Sequence, residues 1–181
     1  MAVIKGTLSK DIVTTLMKLS SDKRLQVNEV TLDMAKNMES AVKQVFTNAT
    51  LVTDRFHVIK LSMEALQHIR VNLRWNELDK ENEAIKQAKE QQITYEPVVL
   101  ENGETPKQLL ARCKYILAKK PNDWTENQTQ RANLLFKYFP QLQTAYHHTL
   151  DFRNIYENQH KAIAKIAFEK WIEKINTTEM K

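Results

Sequence analysis

The apolar positions change period twice between Val27 and Leu61. Val27, Val30 and Leu32, and again Thr50 to Thr53, form short β-branched runs, while Met38, Ala41, Val42, Val45 and Phe46 between them recur at helical spacing. Short β-branched runs predict strands and the 3.6-residue period predicts a helix. Each strand closes on an aspartate, Asp33 and Asp54, and a turn at Thr47-Asn48 leads into the second. Upstream, Ser9 caps a predicted helix carrying Ile12, Val13, Leu16, Met17 and Leu19, which stops near Ser20 to Lys23. Ala2-Val3-Ile4 before Gly6 reads as a further short strand. The order strand, helix, strand, helix, strand favours a parallel sheet, because helical crossovers return the chain to the same edge.

Beyond Val58 almost everything reads as helix. Val58, Leu61, Ala65, Leu66, Ile69 and Leu73 make one stripe with Trp75 near its end, and the charged run Asn76 to Glu90 carries the helix onward in solvent. The pattern breaks around Pro97 and Gly103. Thr105-Pro106 starts the next helix, whose buried face is Leu109, Leu110, Cys113, Ile116 and Leu117 up to Pro121. Thr125 with Gln128 forms a capping box ahead of Ala132, Leu134, Leu135, Phe136 and Phe139, and Pro140 ends that helix. Leu142, Ala145, Tyr146, Leu150, Phe152 and Ile155 mark another, and Ala162, Ile163, Ile166, Trp171 and Ile172 a last one. The expected fold is therefore α/β plus all-α: about three strands with helices over residues 1–57, then a helical portion over 58–181, predominantly helical overall. Three parallel strands leave an open edge, which a partner or a larger protein is expected to cover.

Composition changes this picture little. A chain of 181 residues with 42% hydrophobic content has the size to bury a core. The single cysteine, Cys113, excludes an internal disulfide and a multi-cysteine zinc site, and reads as a small buried hydrophobe in a reducing compartment. No apolar run approaches a membrane span and the N-terminus lacks a signal-peptide core, so a cytoplasmic protein with no membrane partner is expected. The net charge is +5, with 8 Lys+Arg against 6 Asp+Glu in residues 1–57 and 19 against 16 in the rest. An even, mild excess is compatible with DNA phosphates without being diagnostic of them.

Candidate chemistry gathers at the strand ends. In a parallel α/β sheet, ligands bind beyond the strand carboxyl ends, where Asp33 and Asp54 stand. Carboxylates there suit a hard cation such as Mg²⁺, and equally serve as helix caps following a strand. His57 either contacts a phosphate, orients Asp54, or is structural, and Arg55 either pairs with Asp33 or faces solvent. His68, His147, His148 and His160 lack zinc-ligand spacing. Trp75, Trp124 and Trp171 read as core anchors. Arg112 and Lys119, two turns apart on one predicted helix with Lys114 and Lys120 nearby, are candidate contacts to a DNA backbone or else a solvated face.

The segments VTLDM, FTNATLVTDRFHVIKL, LLARCKYILAKKPNDWT, LLFKYFPQLQTAY and FRNIYE resemble, in this order, landmarks of bacterial insertion-sequence transposases of the L-three type. The likeness runs from about Leu8 to the C-terminus. It implies a ribonuclease-H-like catalytic domain with a DDE acidic triad, Mg²⁺ or Mn²⁺ as cofactor, and cleavage and strand transfer of double-stranded DNA at transposon ends, with room for a homo-oligomer. On this resemblance Asp33 takes the place of the second, metal-binding acid, with Asp54 as the alternative. Asp54 and His57 match a D-x-x-H pair, and residues 58–181 match a helical insertion. The first Asp and the Glu of the triad have no counterpart, so the chain is expected to be truncated at both ends and not to cleave DNA alone. A truncated product that inhibits by binding DNA or transposase, and a relic without activity, are the alternatives.

Overall fold

The computed structural model describes residues 4–178, which fall into two compact units, one reaching Lys60 and the other starting at Leu61. The elements are α1 Ser9–Leu16, α2 Ser21–Leu25, β1 Glu29–Leu32, α3 Lys36–Val45, β2 Thr50–Thr53, α4 Arg55–Glu90, α5 Pro106–Arg112, a 3₁₀ turn Pro121–Asp123, α6 Glu126–Tyr138, α7 Pro140–Glu157 and α8 Lys161–Thr177. The protein is thus predominantly helical, with a two-stranded parallel sheet among the described residues.

In the first unit, β1 and β2 pair in parallel, Glu29 opposite Thr50 through Leu32 opposite Thr53, with α3 as the crossover. The alternation of the strands follows the pleat. Val30, Leu32 and Leu51 are half-buried, while Glu29, Thr31, Thr50 and Val52 are exposed. α1 packs on α3, and Ile12, Ala41, Val42 and Val45 are buried. Asn37 adds a hydrogen bond from Nδ2 to the Thr7 carbonyl at 2.7 Å.

Two expectations change here. Of the strand expected at Ala2-Val3-Ile4, Ala2 and Val3 lie outside the described residues and Ile4 is in no strand, so the described sheet has two strands rather than three. The first helix ends at Leu16, leaving Met17 and Leu19 exposed, and the polar break beyond it winds into the single turn of α2.

The second unit has one continuous core, in which Leu66, Leu109, Leu110, Cys113, Leu117, Ala132, Leu135, Leu142 and Tyr146 are essentially removed from solvent. α4 does carry through the charged run to Glu90 as one 36-residue helix. Two positions of its apolar stripe are less buried than expected, since Leu61 is 50% and Trp75 58% exposed. Trp75 is therefore no core anchor. Trp124 packs against the core, with its ring stacked 5.6 Å from Tyr146 and Nε1 donating to the Ile116 carbonyl.

α5 stops at Arg112, sooner than its apolar series. Cys113, Ile116 and Leu117 remain buried in successive turns held by Leu117 N–H to Cys113 C=O and Lys119 N–H to Ile116 C=O. The capping box of α6 forms as the sequence specifies: Gln128 N–H donates to Thr125 Oγ1 and Thr125 N–H to Gln128 Oε1. Pro140 both closes α6 and opens α7, its missing N–H falling where the helix needs none.

α8 departs from its expected face. Ile163, Ile166 and Ile172 are 55%, 54% and 39% exposed. Contact with α7 runs through Trp171, as expected, and through Phe168, which the expected face left out, their rings lying 4.7 and 6.2 Å from Phe152. Trp171 also donates from Nε1 to the His148 carbonyl at 2.9 Å.

Candidate functional site

The parallel register sets Asp33 and Asp54 side by side. β1 ends at Leu32 and β2 at Thr53, paired with each other, and the Asp54 N–H extends the ladder to the Leu32 carbonyl at 2.8 Å. Neighbouring strands lie about 4.8 Å apart, so the two aspartates that follow are next to one another at the carboxyl edge.

Their side chains are committed to different degrees. Asp33 is exposed, and its Oδ1 accepts from the Ala35 N–H at 3.0 Å, turning the chain toward α3. Asp54 is the residue from which α4 starts. Its carbonyl accepts from His57 and Val58 N–H, its Oδ1 accepts from Phe56 N–H at 2.9 Å, and its Oδ2 lies 3.1 Å from His57 Nδ1. It is thus a helix cap and a partner of His57 at once. The Asp54–His57 pair is 40% exposed on both sides, where water screens it, and its direct contribution to stability is under about 1 kcal/mol. What it does is hold the imidazole. With Nδ1 turned to Asp54, Nε2 is left as the ring's remaining hydrogen-bonding atom, and the Phe56 ring sits edge-on at 5.5 Å. Arg55 is exposed at the first position of α4, and among the described residues no hydrogen bond or ion pair joins it to Asp33.

Whether this edge suits a divalent cation follows from the donors. Asp33 keeps one carboxylate oxygen outside its turn, whereas both oxygens of Asp54 are engaged. Among the described residues no three His, Cys, Asp or Glu side chains converge as ligands. Mg²⁺ gives up its waters only where several oxygens converge, so residues 4–178 supply part of a donor set and do not by themselves fit a resident cation.

The basic residues proposed for DNA are not a row on one helix. Arg112 closes α5 and binds Glu104, with Nη1 to Oε1 at 2.6 Å, and Arg131 reaches the same oxygen at 3.0 Å. Asn102 Nδ2 donates to the other oxygen at 2.8 Å. Glu104 is 4% exposed. Burial alone would raise its pKa, but the hydrogen bonds from Arg112 and Asn102 and the charge of Arg131 outweigh it and hold the carboxyl below its ordinary value. Lys119 lies past the helix end and donates to Gln128 Oε1 at 3.2 Å, and Lys120 pairs with Glu157 at 2.6 Å. Lys114 is exposed, its ammonium 5.7 Å from the Tyr115 ring centre.

Two features escaped sequence reasoning. One is the Glu104–Arg112–Arg131 cluster, whose members lie 8 and 27 residues apart and carry no pattern that relates them. The other is the burial of Arg70 on the apolar stripe of α4, where Nη1 donates to the Leu110 carbonyl at 2.8 Å and Nε to Gln67 at 2.7 Å. Burial lowers the Arg70 pKa, with Arg74 adding to the effect. Cys113 behaves as expected of a core thiol, with burial pushing it to about 12, far from a reactive thiolate.

The described residues thus form a short parallel α/β unit with two aspartates on one strand edge, followed by a helical unit. The family model for DDE transposases of the ISL3 type, described as Transposase, matches residues 1–181, and the chain belongs to that family. None of the curated proteins and none of the solved structures matches it. Members of DDE transposase families act on DNA and generally use divalent metals. Among the described residues no helix is long and apolar enough to cross a membrane.

Proposed function

We propose that this chain is part of the catalytic region of a DDE transposase, cleaving and joining transposon-end DNA in the intact enzyme in the bacterial cytoplasm. Residues 1–57 are a partial ribonuclease-H-like segment and 58–181 the helical insertion. The observation that carries this reading is the parallel register, which puts Asp33 and Asp54 at one carboxyl edge with Asp54 gripping His57. The two acids divide the work by what they already hold. Asp33, exposed and with one oxygen outside its turn, is the acid available to a cation. Asp54, bound to Phe56 N–H and to His57, positions the imidazole so that Nε2 meets a DNA phosphate at the mouth of the edge. Arg55 and Lys114, exposed and without a salt bridge to a carboxylate among the described residues, add phosphate contacts. Arg112 and Lys119, tied to Glu104 and Gln128, contribute less.

With a partial donor set among the described residues, the chain alone is expected not to cleave DNA. The test is incubation of the purified chain with a terminal-repeat duplex in Mg²⁺ and in Mn²⁺. Intact duplex is expected in both, and cleavage that Asp33→Ala abolishes would overturn the proposal. In a longer transposase that contains this segment, Asp33→Asn is expected to reduce cleavage by at least about a thousandfold, since it removes a charge on which ion binding depends.

A further inference from the structure

Helices α4, α7 and α8 line a half-open cavity of about 160 Å³ in the second unit. Its walls are apolar: Leu66 and Ile69 from α4, Ala145 from α7, Trp171 and Ile175 from α8, with the exposed Ala65 at its mouth. One polar side chain stands out. His148 lines the cavity, is 6% exposed, and neither Nδ1 nor Nε2 has a hydrogen-bond partner among the described residues. The other polar lining groups are engaged elsewhere, Thr149 Oγ1 donating to the Ala145 carbonyl and Ser62 having an interaction of its own.

Buried imidazole nitrogens without partners are costly, and native interiors nearly always satisfy them. A neutral imidazole offers one donor and one acceptor, so an occupant bearing one hydrogen-bonding group can satisfy one of the two open His148 nitrogens while meeting mainly apolar surface elsewhere. A cavity of about 150 Å³ with aliphatic and aromatic walls holds a benzene-sized molecule. The Trp171 indole, fixed by its bond to the His148 carbonyl and by Phe152 and Phe168, supplies a flat aromatic wall.

We infer that this cavity is a binding site for a small, uncharged, single-ring aromatic molecule bearing one hydrogen-bonding group, which pairs with His148. The ligand is uncharged because the imidazole is neutral in its surroundings. Burial lowers its pKa and Lys174 of α8 adds to this, with Asp151 opposing and His147 reinforcing from α7. Occupancy ties α4, α7 and α8 together. The site is independent of the strand-edge acids and stands or falls separately from the transposase reading.

Phenol and benzene serve as probes of the full chain, followed by the ring-nitrogen signals of His148 and the indole N–H of Trp171 in nuclear magnetic resonance. Phenol is expected to shift both saturably, to raise the thermal midpoint, and to bind roughly two- to tenfold more tightly than benzene, the difference one net hydrogen bond makes. Ala65→Phe, at an exposed position that tolerates the change, closes the mouth and is expected to abolish both shifts. Absence of a saturable shift, or its persistence in Ala65→Phe, would overturn the site. Equal binding of benzene and phenol would overturn the role of His148, a result read on the wild-type chain without need of a His148 variant.

Discussion

Asp33 and Asp54 look alike in sequence, but their hydrogen bonds make them different residues. Asp54 caps a 36-residue helix through Phe56 N–H and holds His57, so Asp54→Ala is expected to lower stability by about 1 kcal/mol in urea denaturation. Asp33 is exposed and closes one turn, and Asp33→Ala is expected to stay within about 0.5 kcal/mol. Loss of stability for the second and not the first would reverse the assignment of cap and free acid. His148 brings a pH dependence with a definite sign. Its pKa in the fold lies below its unfolded value because the site disfavours charge, so the unfolded chain binds the proton first. Stability from this residue is full above the unfolded value near 6.5 and declines as pH falls through that value toward the lower folded one. Urea midpoints between pH 8 and 5 are expected to fall, and His148→Gln to flatten the acid side of the curve. Both aspartates could be read from the chain because each follows a β-branched run. His148 could not, since only the register of α7 decides that it is buried while the adjacent His147 is exposed.

At the scale of elements, the helices that matched expectation have a single apolar stripe or an explicit cap. α6 follows its Thr125–Gln128 box and α7 starts on Pro140. α8 carries isoleucines on more than one side, so periodicity alone could not choose its buried face. Contact with Phe152 on α7 made the choice, favouring Phe168 and Trp171. Ile166→Glu is accordingly expected to change stability by less than about 0.5 kcal/mol. Trp171→Ala is expected to cost about 2 kcal/mol or more in the same denaturation, through lost aromatic packing and the bond to the His148 carbonyl. A larger effect for Ile166→Glu would show that its face is covered. α5 makes the same point in reverse: its apolar series runs to Leu117, yet the helix ends at Arg112, where the guanidinium meets the buried Glu104. The hydrophobic spacing showed what would be buried and left open the backbone shape that buries it.

At the scale of the molecule, the two units differ in how much core they own. The second unit buries a continuous cluster from Leu66 to Tyr146, whereas the first rests on a two-stranded sheet and two packed helices. Two strands are marginal on their own in water. Residues 61–181 expressed alone are therefore expected to unfold cooperatively with full helical circular dichroism, and residues 1–60 alone to show no cooperative transition. The reverse would place the stable core in the wrong unit. Local pattern was enough to establish a short α/β part, a long helical part, the parallel sense of the two strands and the seat of both aspartates at their ends, because periodicity, crossover length and strand boundaries are properties of neighbouring residues. It was enough, too, to point to the transposase family. The tertiary structure alone decided which oxygens of those aspartates are committed, that Arg112 and Lys119 turn to protein partners, that Trp75 faces water, and that His148 lines a cavity. The aspartate bonds close over two or three residues and those of Arg112 and Lys119 over eight or nine, but which of them form, and which side chains are buried, is set by backbone geometry and packing that hydrophobic spacing does not encode.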